Sequence, residues 1–323
     1  MRDFSKAALD AEFPSRLHGI QLNHAAVAPL PRCAVNALAG YAEACSLRGG
    51  LEWAAWGREA AALRERAARL VGAGGADSIG IVPNTSLGLT FVAQGFPWEA
   101  GDVVVTTDAE FPANLNPWLA LASRGVSVVK IPTQDAAYTL SDVRTACEGR
   151  RVRVLCVSAV SFHTGFVAPL AELGAFCAER DIVFGVDGIQ AVGAMPFDVE
   201  AAQIRFLSAD GHKWMLGPEG CGILYTHPDL RGRLAPPAGW LNVDDPFGFA
   251  MSASPSWRTD GRRFEAGALP GPGVYALAAT LELLLDTGLD VVSARIREVV
   301  DVLAEGLASR GFTPLPFGPV RSG

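Results

Sequence analysis

Short apolar segments rich in β-branched residues alternate with helical segments through the middle of this chain, and this alternation restricts the fold more than any other feature. The segments follow one another at residues 79–82, 85–95, 103–107, 113–123, 126–131, 141–148, 152–158, 169–180 and 182–187. Consecutive strand and helix pairs of this kind build a mainly parallel sheet with helices on both faces. Two further strands at 204–208 and 221–225 have a short link, which favours at least one antiparallel pairing. The sequence therefore predicts an α/β fold whose ligands bind at the carboxyl ends of the strands.

The segments that flank the alternating region predict the domain organisation. Helical spacing occurs at residues 32–48 and 53–70, and again at about 273–286 and 289–309, while 227–270 is irregular and rich in Pro, Gly, Trp and Arg. A chain of 323 residues exceeds one average domain. We predict an N-terminal arm at 1–20, a large ligand-binding domain at 21–270 and the start of a small, incomplete C-terminal α/β domain at 271–323, where 312–320 begins a new strand layer.

Composition excludes several classes of protein. The chain is 50% hydrophobic and 19% charged, which is typical of a globular protein and not of a disordered one. Its net charge is −7 and it has no cluster of Lys and Arg, so a nucleic-acid partner is not expected. It has no apolar run long enough to span a membrane and no signal peptide at its start, and we expect a cytoplasmic protein. The six cysteines lack Cys-x-x-Cys spacing and the five histidines are scattered, so we predict reduced cysteines and no metal site.

Lys213 is the first candidate for chemistry. It lies in a turn between the strands at 204–208 and 221–225, directly after His212 and shortly before a Gly-Pro pair. A lysine held at the end of a strand is partly desolvated, which lowers its pKa and makes the amine a nucleophile for Schiff-base formation. The alternative is an ordinary solvated lysine beside a turn.

A second pair of polar residues supports the interpretation of Lys213 as a Schiff-base lysine. The buried strand at 182–187 ends in Asp187, and Gln190 follows one turn later. A carboxylate at this edge can keep a heteroaromatic nitrogen protonated, and an amide can donate a hydrogen bond to a phenolic oxygen. Together with a lysine amine, these groups match what pyridoxal phosphate needs in order to act as an electron sink. Taken alone, Asp187 before a glycine is also an ordinary turn residue.

Other candidates follow strands at the same predicted edge. Thr85 and Ser86 begin a helix after a strand, where backbone N–H groups and hydroxyls suit a phosphate, although Thr85 is equally suited to be an ordinary N-cap. Phe111 is placed to stack on a cofactor ring, or else belongs to the core. Asp210 and His212 share the turn with Lys213 and complete the predicted cofactor-binding set. We predict weaker candidates for the substrate pocket at His24, Asn114 and His163.

The combined motifs resemble the class V aminotransferase family of fold-type I pyridoxal phosphate enzymes, which also contains cysteine desulfurases, kynureninases and isopenicillin N epimerase-like proteins. The resemblance covers nearly the whole chain and runs in order through Asn23-His24-Ala25-Ala26, Asn84-Thr85-Ser86, Glu110-Phe111-Pro112-Ala113-Asn114, Asp187-Gly188-Ile189-Gln190, His212-Lys213-Trp214 and Arg263-Phe264-Glu265-Ala266-Gly267.

The resemblance implies a role for each matching residue. Lys213 would form the Schiff base with the cofactor and then move the α-proton of the substrate. Asp187 would pair with the pyridine nitrogen, Gln190 would contact the phenolic oxygen, and Phe111 would stack on the ring. The phosphate would be held by Thr85, Ser86 and His212.

Two departures from the family pattern limit what is implied. Such families usually place a threonine after Gly267 that reaches the phosphate of the neighbouring subunit in a dimer, whereas this chain has Ala268. The family also continues past Gly323 with a small domain that normally supplies the arginine for the substrate carboxylate and, in desulfurases, the persulfide-forming cysteine. We therefore expect a C-terminally truncated family member.

The sequence-based prediction of function is a homodimeric pyridoxal phosphate enzyme that acts on the α-amino group of an amino acid. Transamination is the first reading, and a cysteine desulfurase or another carbon-sulfur lyase is an alternative within the same family. A protein that binds pyridoxal phosphate without turnover is a further alternative, motivated by Ala268 and by the expected truncation.

Overall fold

A computed structural model describes residues 5–134, 137–249 and 254–313. Its centre is a seven-stranded sheet with the strand order β1-β7-β6-β5-β4-β2-β3. The strands are β1 (Ile79–Val82), β2 (Val103–Thr107), β3 (Ser127–Ile131), β4 (Val152–Ser158), β5 (Val183–Asp187), β6 (Phe206–Asp210) and β7 (Gly222–Thr226). Strand β7 runs antiparallel to both of its neighbours, and the other four pairings are parallel. The predicted mainly parallel mixed sheet is therefore confirmed.

Helices cover both faces of this sheet, as predicted. They are α1 (Lys6–Glu12), α2 (Arg32–Arg48), α3 (Trp53–Val71), α4 (Thr85–Gly95), α5 (Asn116–Leu119), α6 (Leu140–Cys147), α7 (Leu170–Glu179), α8 (Pro228–Arg231), α9 (Gly271–Thr287) and α10 (Leu289–Ala308). Successive residues of β2 face opposite sides: Val103 and Val105 lie in one buried apolar cluster and Val104 in a second. A strand that is buried on both faces reads as a continuous apolar run, which is how β2 appears in the sequence.

The C-terminal helices differ in how they pack. Helix α9 packs against α2 and α3, and its Leu277 and Leu281 have no exposed surface. Helix α10 follows α9 directly and keeps several apolar side chains exposed, among them Val302 at 67%. The division at residue 270 stays a prediction. The strand layer predicted at 312–320 falls largely outside the described residues.

The prediction of one continuous helix at residues 113–123 is wrong. In its place the chain forms a 3₁₀ turn at Pro112–Asn114, the short helix α5 and a second 3₁₀ turn at Ala120–Arg124. Pro117 lacks a backbone N–H group, so a continuous α-helix from residue 113 would lose the hydrogen bond from residue 117 to the carbonyl of residue 113. In the part of the chain that the structure describes, no helix combines the length and the apolarity needed to cross a membrane.

One buried ion pair links α3, β1 and the irregular segment before α9. The Arg64 guanidinium donates to both carboxylate oxygens of Glu265, at 2.9 Å for the Nε–Oε1 contact, and the backbone N–H of Ile81 donates to Oε1 at 2.9 Å. Arg64 is 9% exposed and Glu265 is 5% exposed. Because Ile81 lies in β1, this pair also fixes the strand that leads into α4.

We expect Glu265→Ala to lower the free energy of unfolding by about 3–5 kcal/mol, because the Arg64 charge and the Ile81 N–H group lose their partner in a buried place. Urea titration of the purified variant measures this loss. The matched control is Glu282→Ala, which removes a pair between the 57% exposed side chain of Glu282 and Arg66, also on α3. It should cost less than about 1 kcal/mol. Equal losses in the two variants would contradict the assignment of Arg64–Glu265 as a buried clamp.

Candidate active site

The carboxyl ends of six strands, β1 to β6, meet at one edge of the sheet. Strand β1 belongs to this group because it is antiparallel to β7, which is itself antiparallel to β6. Candidate polar or aromatic side chains follow five of these strands: Thr85 after β1, Glu110 and Phe111 after β2, Ser161 after β4, Asp187 at the end of β5, and Asp210 with Lys213 on and after β6.

Lys213 lies in a tight turn directly after β6. The turn is closed by hydrogen bonds from Gly217 N–H to Gly211 O (2.8 Å) and from Leu216 N–H to Lys213 O (3.0 Å). The Lys213 side chain is half-buried, and this burial lowers the pKa of its amine, while the charges of Asp187 and Asp210 act in the opposite direction. The turn therefore holds an amine that loses its proton more readily than a solvated lysine does.

Asp187 is a buried carboxylate with little compensation. It ends β5, is 2% exposed, and accepts a hydrogen bond from the backbone N–H of Ile189 at 3.0 Å. The pKa of Asp187 is raised to about 7: burial is the largest cause and the charge of Glu110 adds to it, while the Ile189 hydrogen bond and the Lys213 amine oppose the shift. A carboxyl group in this state is suited to share a proton with a basic ring nitrogen.

Phe111 and Phe162 form an aromatic wall beside the Lys213 amine. The ring of Phe111 is 44% exposed, and its centroid lies 5.8 Å from Lys213 Nζ. Phe162 contacts it edge to face at 5.1 Å between centroids. An exposed ring at this position leaves a flat apolar surface available for stacking.

An N-terminal segment, residues 23–28, lies on the Lys213 turn. The Gln190 amide bridges the two, since its Nε2 donates to Ala25 O and its Oε1 accepts from Trp214 Nε1, both at 3.0 Å. His24 stacks on Trp214 with 5.6 Å between centroids, and burial lowers the pKa of His24. A side-chain amide has two N–H donors, so Gln190 retains one for a ligand oxygen.

The other end of the site suits an anion. Thr85 and Ser86 are the first two residues of α4, where backbone N–H groups have no acceptor within the helix. The Thr85 hydroxyl oxygen accepts from Asp210 N–H at 3.0 Å, which ties α4 to β6, and Ser86 is exposed. His212 Nδ1 lies 3.0 Å from Asp210 Oδ2.

Glycine at position 88 lets α4 approach β6 this closely. A Cβ atom at Gly88 would lie 2.2 Å from the hydroxyl oxygen of Ser208 in β6. The close approach lets Thr85 at the start of α4 reach Asp210 at the end of β6, three residues before Lys213.

Two predicted pocket residues lie apart from this group. Asn114 has no exposed surface, and its amide is used internally by Glu110, Trp118 and Cys156. His163 is exposed in the loop after β4, and its ring lies 6.1 Å from the ring of Phe162 between centroids. Phe162 in turn contacts Phe111, so His163 reaches the aromatic wall only indirectly. Their roles as pocket residues stay predictions, and the structure gives Asn114 a supporting position beneath Glu110.

The donor set fits a ligand with an anionic end and a cationic end. The start of α4 presents N–H groups and hydroxyls to an anion, and Asp187 is a carboxylate that lacks a full cationic partner. Lys213, Phe111 and Gln190 come together between these ends with an amine, a ring face and a spare amide donor. Pyridoxal phosphate has this distribution of charge and shape.

Sequence reasoning assigned no role to Glu110 or Trp214, although both lie within the motifs quoted above. Trp214 follows Lys213 directly and orients Gln190. Glu110 follows β2 and precedes Phe111, a position that by itself indicates the ligand-binding edge. Its partners lie up to 48 residues away in the chain, so its hydrogen bonds could not be read from local spacing.

Comparison with known proteins places this arrangement in a family. The family model described as aminotransferase class-V matches residues 20–319, and the chain belongs to this family. It is 32% identical over 238 residues to a probable cysteine desulfurase of Pyrococcus abyssi, covering 72% of this chain and 57% of the relative. With a cysteine desulfurase of Thermococcus onnurineus NA1, solved in its apo form, it shares 25% identity at a TM-score of 0.85, covering 99% of this chain and 80% of that one.

A second solved neighbour is the cystine C–S lyase C-DES, in complex with its reaction product cysteine persulfide. The TM-score is 0.79 and the identity is 27%, over 85% of this chain and 74% of that one. The predicted fold-type I architecture is thus confirmed. The chain spans 57% and 50% of the length of the first two curated relatives that it matches.

Proposed function

We propose that this protein is a pyridoxal phosphate enzyme that acts on the α-amino group of an amino acid, with Lys213 as its catalytic residue. The observation that carries the proposal is the half-buried Lys213 amine, held beside the exposed face of Phe111 and within the field of the buried Asp187. Burial lowers the pKa of this amine, which increases the unprotonated, nucleophilic fraction relative to a solvated lysine. Support for the cofactor comes from family membership and from a solved C-DES variant in which glycine is covalently linked to the PLP cofactor.

Each residue of the site has a distinct task in this proposal. Thr85, Ser86 and His212 would hold the phosphate, Asp210 would anchor Thr85, and Asp187 would keep the ring nitrogen protonated. Gln190 would donate to the phenolic oxygen, and Phe111 would limit the tilt of the ring. When bound, the cofactor supplies an electron sink for the electron pair left on the substrate α-carbon. Lys213 Nζ would take the α-proton and return it, which its lowered pKa favours.

Transamination is the first proposed reaction, and carbon-sulfur bond cleavage is the second. The names of the relatives favour the second, because several are cysteine desulfurases and C-DES is a cystine C–S lyase. Of the six cysteines, Cys147, Cys156, Cys177 and Cys221 are buried, and burial raises the pKa of each thiol; Cys33 and Cys45 lie on α2. None of the six is a reactive thiol at the Lys213 turn. If carbon-sulfur cleavage occurs, we infer that the sulfur leaves without transfer to one of these cysteines.

We also propose that the protein forms a homodimer and keep the prediction that it is cytoplasmic. An aromatic cluster supports the dimer: Trp53, Trp240 and Phe247 are 42%, 46% and 52% exposed, and Phe247 lies 5.6 Å and 5.9 Å from the two tryptophan rings. Exposed aromatic side chains in contact with one another are typical of protein interfaces.

A spectrum followed by two assays tests the proposed function. After reconstitution with pyridoxal phosphate, the protein should develop a visible absorbance band that changes when an amino acid is added. Sulfide release from cysteine or cystine would identify a lyase, and exchange between an amino donor and a keto acid would identify an aminotransferase. A stable band that responds to no amino acid would support binding without turnover, and failure to bind the cofactor would refute the proposal.

A further inference from the structure

Glu110 is a charged side chain at the ligand-binding edge to which the proposed function assigns no task. Its carboxylate accepts from Thr107 Oγ1 (3.1 Å), Asn114 Nδ2 (2.9 Å), Ser158 Oγ (2.6 Å) and the Ser158 backbone N–H group (3.0 Å). Asn114 Nδ2 and the backbone N–H of Ser158 can only donate, so they favour the ionised form of Glu110. The residue is thus provided with donors for a negative charge.

The donors are themselves held in place by buried groups. Asn114 Oδ1 accepts from Trp118 Nε1 at 3.2 Å and lies 2.9 Å from Cys156 Sγ. This arrangement unites β2, β4 and the segment between Pro112 and α5 around one carboxylate. Burial nevertheless raises the pKa of Glu110, because removal from water outweighs the hydrogen bonds. A fold that needed only to join these elements could use a neutral side chain here, at lower cost.

Glu110 lies close to the carboxylate of Asp187. Ser158, which donates twice to Glu110, is the register partner of Asp187 across the β4–β5 pairing. The negative charge of Glu110 raises the pKa of Asp187, so the two side chains interact electrostatically. Tyr138 and Cys156 are the other titratable neighbours affected by the Glu110 charge, and both are buried and neutral. The edge therefore carries three carboxylates, Glu110, Asp187 and Asp210, and among the described residues the Lys213 amine is the cation that acts on Asp187.

We propose that Glu110 is a positioning residue whose negative charge acts through Asp187, so that the pair together favours a cationic ring nitrogen in the bound cofactor. This inference rests on the proposed function, because it concerns the same cofactor. Repulsion between two buried carboxylates is relieved when a positive charge or a shared proton is placed against one of them. Glu110 thereby favours binding of the cofactor with a protonated ring nitrogen, although its own side chain does not contact the cofactor.

The test compares two ligands that differ only at the ring nitrogen. Pyridoxal phosphate and its 1-deaza analogue, in which a C–H group replaces that nitrogen, share the phosphate and the aldehyde. The ratio of their dissociation constants, measured by quenching of tryptophan fluorescence in the apoprotein at pH 8, reports the preference for the nitrogen. In Glu110→Gln we expect this preference to fall about tenfold, the equivalent of one pKa unit. A general folding defect would weaken both ligands and leave the ratio unchanged.

Three further variants separate charge from structure. Glu110→Ala gives a second neutral variant, in which water can enter from the adjoining small cavity lined by Thr107, Tyr138, Ser158 and Ser161 and satisfy the freed donors. Glu110→Asp keeps the charge and should keep most of the preference, and Thr107→Val removes one donor only and should keep it too. An unchanged ratio in a folded neutral variant would overturn the inference. If the wild-type protein binds neither ligand, the proposed function itself fails.

Discussion

Lys213→Ala should reduce turnover by more than about a thousandfold with every amino acid that the wild-type protein accepts, while the protein remains folded. The expected loss is large because one side chain supplies both the covalent attachment of the cofactor and the transfer of the α-proton. The variant should still bind pyridoxal phosphate, because Asp187, Phe111 and the start of α4 are untouched. Turnover, together with attachment of the cofactor after borohydride reduction, measures the two tasks separately.

The lysine content of the chain makes this experiment unusually clear. The sequence contains three lysines, Lys6, Lys130 and Lys213, and the first two are exposed. Lys130→Ala is therefore a matched control that should retain full turnover and reductive attachment. Mass spectrometry of the reduced wild-type protein should find the cofactor on Lys213. Attachment at Lys130, or turnover in Lys213→Ala within tenfold of the wild-type value, would refute the assignment.

Much of the fold was predictable because the parallel strands are short continuous apolar runs. The bounds of β1, β2, β4 and α4 agree with the prediction at both ends. The segment at 113–123 was mispredicted because its apolar spacing is helical, while Pro117 interrupts the hydrogen bonding of a continuous helix. The order of the strands in the sheet was not predictable from the same pattern. The buried strands are all short apolar runs of similar composition, so the sequence of a strand does not indicate which strand it pairs with.

The site was predictable to the extent that its residues follow strands. Asp187, Lys213 and Phe111 each lie after or at the end of a strand, and parallel topology brings such positions to one edge. The contacts among them depend on distant pairs, such as Gln190 with Ala25, which are 165 residues apart. Local spacing carries no information on such pairs, and the Glu110 network was overlooked for this reason.

The buried carboxylate of Asp187 gives the second large prediction, in which stability and function change in opposite directions. The pKa of Asp187 is about 7 in the folded apoprotein, against an ordinary value of 3.8. Between pH 4 and pH 7 the folded state thus binds more protons than the unfolded state, so the free energy of unfolding falls as the pH rises through this window. Asp187→Asn removes this contribution. At pH 8 the apo variant should be more stable than the wild type, by up to about 4 kcal/mol.

The same substitution should impair function, because asparagine cannot balance a positive ring nitrogen. We expect turnover to fall by about a hundredfold or more and the preference for pyridoxal phosphate over its 1-deaza analogue to disappear.

Urea titrations of both apoproteins at pH 5 and pH 8 measure the effect on stability. The control is Asp229→Asn, which removes a carboxylate with 81% of its side chain exposed and should cost less than about 1 kcal/mol. If the difference in stability between the wild-type and Asp187→Asn apoproteins were the same at both pH values, Asp187 would not titrate between them and would already be ionised at pH 5. On this explanation, the Asp187 carboxylate destabilises the empty protein but is needed once a cation occupies the site. Asp187→Asn should then raise the stability of the apoprotein and lower turnover, whereas a purely structural role would lower both.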